Sequence, residues 1–137
     1  HRWAFEHDEI AYNYRMPNIN AAIGCAQLQK LPTFIEQKRQ LTLVYEDLLK
    51  NVDGVTLFKE PLHAKGNYWL QTLILEETIT RDSVLEFLNE NGVMSRPIWT
   101  PMDKLSYFQQ MPKADLTVTE QLKNSLINIP STPLEVK

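Results

Sequence analysis

The chain has 137 residues, 43% hydrophobic and 23% charged, with 17 acidic residues against 14 basic ones and a formal net charge of -3. This is ordinary globular composition, long enough for one domain with a real core, and it argues against disorder. The scattered lysines and arginines leave no basic footprint for nucleic acid, no apolar run approaches a membrane span, and no charged-then-apolar leader stands at the start, so a soluble cytoplasmic protein is expected. The lone Cys25 excludes an internal disulfide and fits a reducing compartment.

Residues 1–16 are polar and aromatic without a period and read as an extended segment. Pro17 is tolerated in a first helical turn, and Ile19, Ile23 and Ala26 then recur at helical spacing, which predicts a helix over about 18–30. Pro32 interrupts or kinks it, because proline removes an amide donor and clashes with the preceding turn. A second helix is expected over 33–50, with Phe34, Leu41, Tyr45, Leu48 and Val52 on its apolar stripe.

Asp53-Gly54 turns the chain, and the pattern becomes strand-like at Val55–Phe58 and again at Tyr68–Leu75, the latter a central strand, with a loop over 61–66 between them. Thr80 caps a helix over 81–90 that buries Val84, Leu85, Phe87 and Leu88 and stops at Asn91-Gly92. Val93–Arg96 reads as a strand, Pro97 and Pro101 hold an irregular crossing, and 103–109 forms a short helix. Thr117 and Glu120 have capping-box spacing for a last helix over 118–125, before a final strand at Leu126–Ile129. The order suits an α+β fold: two N-terminal helices, then a small mainly antiparallel sheet with helices on one face. Residues 1–52 and 53–137 form the expected division, the first part leading to a neighbouring large domain.

Two patches carry chemistry. In the first, Asn13 and Arg15 stand in a turn ahead of a helix rich in Ala21, Ala22, Gly24 and Ala26. An amide and a planar guanidinium can hold a phosphate without a general base, and small residues let another backbone approach. From three residues alone a plain turn, with Arg15 paired to a surface acid, is the commoner outcome. In the second patch Arg96 and Trp99 flank Pro97-Ile98. A guanidinium and an indole can bind a sugar diphosphate and a base or sugar ring, through charge and stacking respectively, yet Trp99 as a core aromatic and Arg96 as a strand-end charge are equally open on composition.

The residues Tyr12-Asn13-Tyr14-Arg15-Met16, followed by Asn20-Ala21-Ala22-Ile23-Gly24 and Ala26-Gln27-Leu28, resemble a segment of the pyridoxal-phosphate (PLP) dependent nucleotide-sugar aminotransferases of the DegT/DnrJ/EryC1/StrS family. Gly92-Val93-Met94-Ser95-Arg96-Pro97-Ile98-Trp99-Thr100-Pro101-Met102, with Lys104-Leu105, resembles the late part of the same enzymes. It is most similar to the subgroup that aminates 4-keto-6-deoxy sugars on the way to bacillosamine- or legionaminic-type sugars. Many relatives have a His-Tyr pair where Ile98-Trp99 stands.

The resemblance implies the small domain of a fold-type I enzyme that uses PLP and moves an amino group, usually from glutamate, to a 4-keto sugar nucleotide. It implies a homodimer with shared active sites, in which Asn13, supported by Arg15, reaches the cofactor phosphate of the other subunit, while Arg96 and Trp99 contact the sugar nucleotide. The family's cofactor-binding lysine lies upstream of the Asn-Tyr-Arg turn, and no lysine here has a matching context. The chain therefore reads as the last third of an enzyme, inactive by itself, with no catalytic residue of its own. The other reading is an independent α+β ligand-binding or dimerisation module whose small-residue helix is a dimer seam.

The remaining candidates favour ordinary roles. His1, His7 and His63 lack ligand spacing with one another or with Cys25, so no metal is expected. His7-Asp8-Glu9 reads as a solvated charge cluster, Asp82, Glu86 and Glu90 as the wet side of their helix, and Cys25 as a small buried thiol.

Overall fold

The structure is a computed structural model and describes residues 12–132. His1 and the His7-Asp8-Glu9 cluster lie outside the described residues. Two compact units part at Pro32.

In the first unit, residues 12–17 have no regular structure, and the helix α1 (Asn18–Leu49) begins directly after Pro17. Proline's fixed φ suits this position, and its carbonyl accepts the Ala21 N–H at 3.0 Å. Pro32 lies inside α1 and does not end it, so one helix stands where two were expected. The ring removes one donor, but hydrogen-bonded turns on both sides hold the helical backbone through it. Cys25 is exposed rather than buried: among the described residues of its unit no second element packs on this half of α1.

The second unit is built on a four-stranded sheet in the order β1 (Val55–Leu57), β2 (Gln71–Leu75), β4 (Leu126–Ile129), β3 (Arg96–Pro97), with every neighbouring pair antiparallel. The alternation of the strands sorts their faces: Leu57 pairs with Leu73, Leu73 with Ile127, and Gln71 with Ile129 on the buried side. Leu57, Leu73, Leu75, Ile127 and Ile129 close the core, covered by Tyr45 and Leu49 of α1 and by Val84, Leu85 and Leu88 of α2 (Arg81–Glu90). The expected α+β architecture is therefore present, with Tyr68–Leu75 shortened to β2 but central as expected.

Several local expectations need correction. The α1 stripe facing the core is Leu41, Tyr45 and Leu49; Leu48 is exposed because one residue along a helix turns the side chain by roughly 100°. Val52 lies beyond the helix and is also exposed. In α2, Phe87 is 64% exposed, at the edge of the face that Val84, Leu85 and Leu88 turn to the core. Thr80 occupies the N-cap position without a side-chain bond. Gly92 ends the helix as expected, at φ 79°, in the left-handed region that glycine adopts freely.

The strand expected over 93–96 is reduced to Arg96–Pro97. Asn89 engages the backbone just before it, donating to the Ser95 carbonyl at 3.0 Å and accepting the Ser95 N–H at 3.2 Å. Pro97 can sit there because β3 is an edge strand. Two short 3-10 turns, Met102–Lys104 and Ser106–Phe108, replace the helix expected over 103–109. At α3 (Thr117–Ser125) the capping box does not form. Asp115 takes that role, accepting the Thr117 N–H at 3.0 Å and its hydroxyl at 2.7 Å, while Glu120 pairs with Lys104.

Candidate functional site

The first candidate patch lies in the first unit. Asn13 Oδ1 accepts the Arg15 backbone N–H at 3.0 Å, an Asx-type turn. This bond uses the acceptor end of the amide and leaves its two Nδ2 donors to other partners. Tyr12 and Tyr14 pack edge to face at 6.3 Å between centroids and both remain exposed. Amide donors beside a guanidinium are a donor set suited to a phosphate dianion. Gly24 has open space where a Cβ would stand.

The second candidate patch lies in the second unit, in an open cleft of about 530 Å³ lined by Trp69, Arg96, Pro97, Trp99, Asn128 and the 130–132 segment, among others. Arg96 pairs with Asn128 in the β3–β4 register, so both sit on the sheet face opposite the core. Trp99 is no core residue: it is 69% exposed and stacks on Trp69, itself 63% exposed, with ring centroids 6.0 Å apart and planes 23° from parallel. Among the described lining residues Arg96 carries the only full charge. A cation beside two indoles and a carboxamide suits an anionic ligand that also carries a ring.

The cleft walls are tied to α1. Lys38 donates to the carbonyls of Trp69 at 3.0 Å and Ser131 at 2.5 Å, and burial lowers the pKa of its ammonium. The Tyr45 hydroxyl, whose pKa burial raises, donates to the Pro130 carbonyl at 2.9 Å. Deeper in, the buried Gln71 amide donates to the Thr42 hydroxyl at 2.9 Å.

A further clamp holds the loop ahead of Trp69. Arg39 makes a two-pronged bond to Glu60, at 2.8 and 3.0 Å, and donates to the Gly66 carbonyl at 2.7 Å. The Arg39 hydrogen bond, then that from the Gly66 N–H, holds the Glu60 carboxyl below the usual carboxylate range.

Trp69, Asn128 and Lys38 were absent from the residues that sequence reasoning selected. Trp69 reads as part of a strand because it opens an aromatic, branched run. The backbone breaks before the strand: Tyr68 has φ 49°, and the Trp69 N–H bonds to Asn67 Oδ1 at 3.0 Å. The Gly66-Asn67 pair is the sequence signal for that turn.

Residues 2–135 match the DegT/DnrJ/EryC1/StrS aminotransferase family. The GDP-perosamine synthase of Vibrio cholerae is 34% identical over 130 residues, covering 93% of this chain and 35% of that protein. The fold is shared with Helicobacter pylori PseC, an aminotransferase involved in the biosynthesis of pseudoaminic acid, at a TM-score of 0.83 and 22% identity over 95% of this chain and 36% of that one. The E. coli GDP-4-keto-6-deoxy-D-mannose-3-dehydratase with bound hydrated PLP superposes at a TM-score of 0.78 with 25% identity, over 98% of this chain and 35% of that one. The chain spans about a third of the length of the relatives it matches.

Proposed function

Because this chain belongs to the DegT/DnrJ/EryC1/StrS aminotransferase family, we propose that it forms the C-terminal part of a PLP-dependent transaminase that moves an amino group, with glutamate as donor, to a 4-keto-6-deoxy sugar nucleotide. The carrying observation is the family match over residues 2–135, supported by the likeness to a GDP-perosamine synthase. In this reading residues 1–52 lead to a large domain that supplies the cofactor lysine, residues 53–137 are the small domain, and the assembly is a cytoplasmic homodimer serving polysaccharide biosynthesis.

PLP, when bound, supplies an electron sink for moving the amino group. The residues of this chain bind and orient. Asn13 donates through its amide to the cofactor phosphate in the partner's site, and Arg15 adds positive charge beside it. The donor set in the turn fits that group. Arg96 holds the diphosphate of the sugar nucleotide and Trp99 stacks on one of its rings, which presents the ligand in a fixed pose without any proton transfer by either residue.

The test uses the full-length protein. Visible absorption of bound PLP that changes on adding an amino-acid donor supports the transaminase and counts against an independent, non-catalytic α+β module. Asn13→Ala is expected to weaken PLP retention about tenfold, the loss of one charge-assisted hydrogen bond. A reading frame with no lysine-bearing PLP segment upstream of His1 overturns the transaminase assignment. PLP retention unchanged in Asn13→Ala overturns the phosphate role.

A further inference from the structure

Lys38 is fixed to the sheet through its own backbone. Its carbonyl accepts the Thr42 hydroxyl at 2.9 Å, and that hydroxyl accepts the buried amide of Gln71, the first residue of β2, at 2.9 Å. From this anchored position the Lys38 ammonium reaches carbonyls of two separate segments, Trp69 at 3.0 Å and Ser131 at 2.5 Å. The Ser131 hydroxyl closes the triangle by donating to the Trp69 carbonyl at 2.9 Å. Trp69 and the 130–132 segment are both walls of the Arg96 cleft.

The segment held in this way is strained. Tyr68, directly before Trp69, has φ 49°, and a bulky residue keeps that conformation only where its surroundings over-determine it. Arg39, next to Lys38, contributes from the other side, with its guanidinium 5.3 Å from the Tyr68 ring centroid. An ammonium partly withdrawn from water and spent on main-chain oxygens is costly for general stability. Its consequence is geometric: it fixes where the Trp69 backbone leaves the strained corner, and hence where the indole points.

We infer that Lys38 is a positioning residue for the cleft and that Trp69 is the cleft's second aromatic contact. Lys38 holds the Trp69 and Ser131 carbonyls together and so sets the stack of Trp69 on Trp99, against which a ring of a nucleotide sugar docks beside Arg96. This rests on the nucleotide-sugar role proposed for Arg96 and Trp99.

Two tryptophans at this spacing couple in far-ultraviolet circular dichroism, and the difference from Trp69→Phe isolates that signal in the full-length protein without substrate. Lys38→Met is expected to reduce it by about half and to raise KM for the nucleotide sugar about fivefold, with kcat changed by less than about twofold. Lys38→Arg keeps a cation with several donors and is expected to restore most of both. Should Lys38→Met fail to fold, Ser131→Ala carries the test, removing one donor to the Trp69 carbonyl for a smaller loss in the same direction.

An undiminished signal in Lys38→Met, or in Ser131→Ala where it stands in, overturns the positioning role. A diminished signal combined with unchanged KM in both Trp69→Ala and Arg96→Ala keeps Lys38 as the positioner of the stack. That outcome overturns the nucleotide-sugar reading and, with it, the ligand role of Trp69.

Discussion

In residues 12–32 the large apolar side chains, Met16, Ile19, Ile23, Leu28 and Leu31 among them, are exposed, whereas residues 33–132 use the same residue types to close a core around Ile127. Both stretches show apolar residues at regular spacing, yet only the second supplies the facing surface in its own sequence. Periodicity therefore announces that a face is to be covered and does not say by what. In the proposed homodimer, the exposed helix surface around the open Gly24 is where another subunit packs.

The sharpest way to test this contrast is to empty the core. Ile127 is fully buried at the centre of the sheet, and Ile127→Ala is expected to cost about 3 kcal/mol in urea unfolding of the full-length protein. Ile23→Ala, at a side chain 58% exposed in the single chain, is expected to cost less than about 0.5 kcal/mol in the unfolding of a dissociated subunit. A large loss for Ile23→Ala under dissociating conditions breaks the contrast.

The next effect is polar. Gln71→Ala removes the buried amide that joins β2 to Thr42 of α1, and a loss of about 2 kcal/mol is expected on the same measurement. Weaker still is the partly buried Arg39–Glu60 clamp, which is read best through pH. The folded-state pKa of Glu60 is depressed by Arg39, so its contribution is complete above the ordinary glutamate range and is lost as pH falls through the lowered folded value. Glu60→Gln is therefore expected to be less stable than the parent at neutral pH, with the gap closing in acid. A gap that persists when the carboxyl is protonated counts against the ion pair as its source.

At Gly24 the effect on folding is small and of opposite sign. Gly24→Leu meets open space in the single chain and gains helix propensity, so subunit unfolding is expected to be stabilised by about 0.5–1 kcal/mol, while the dimer dissociation constant measured by sedimentation is expected to rise about tenfold because the side chain blocks the close approach. An unchanged dissociation constant removes this face from the proposed dimer contact.

Much of the second unit was legible in the sequence because strands and short amphipathic helices obey local rules. Arg81–Glu90 and Leu126–Ile129 follow from a Gly92 stop and a branched run, and Asp82, Glu86 and Glu90 are exposed as their spacing implies. The misses are equally physical. Asn89 takes the backbone bonds of Ser95 that a longer strand would have used, and Asp115 outcompetes the Thr117-Glu120 box because its carboxylate lies only two residues from the open Thr117 N–H, against three for Glu120. Of the cleft, Arg96 and Trp99 were visible as a polar-aromatic pair, but Trp69 is 30 residues away in sequence and Lys38 lies in a different element.

The sequence by itself determined the α+β class, the antiparallel strands, the family and the donor character of the Asn13–Arg15 turn, because these depend on residue type and short-range spacing. Only the tertiary structure decided that Trp69 stacks on Trp99, that a lysine of α1 holds the cleft walls, and that Pro32 does not end its helix. Those outcomes depend on which distant backbone oxygens and rings come within a few ångströms of one another, and no local pattern carries that information.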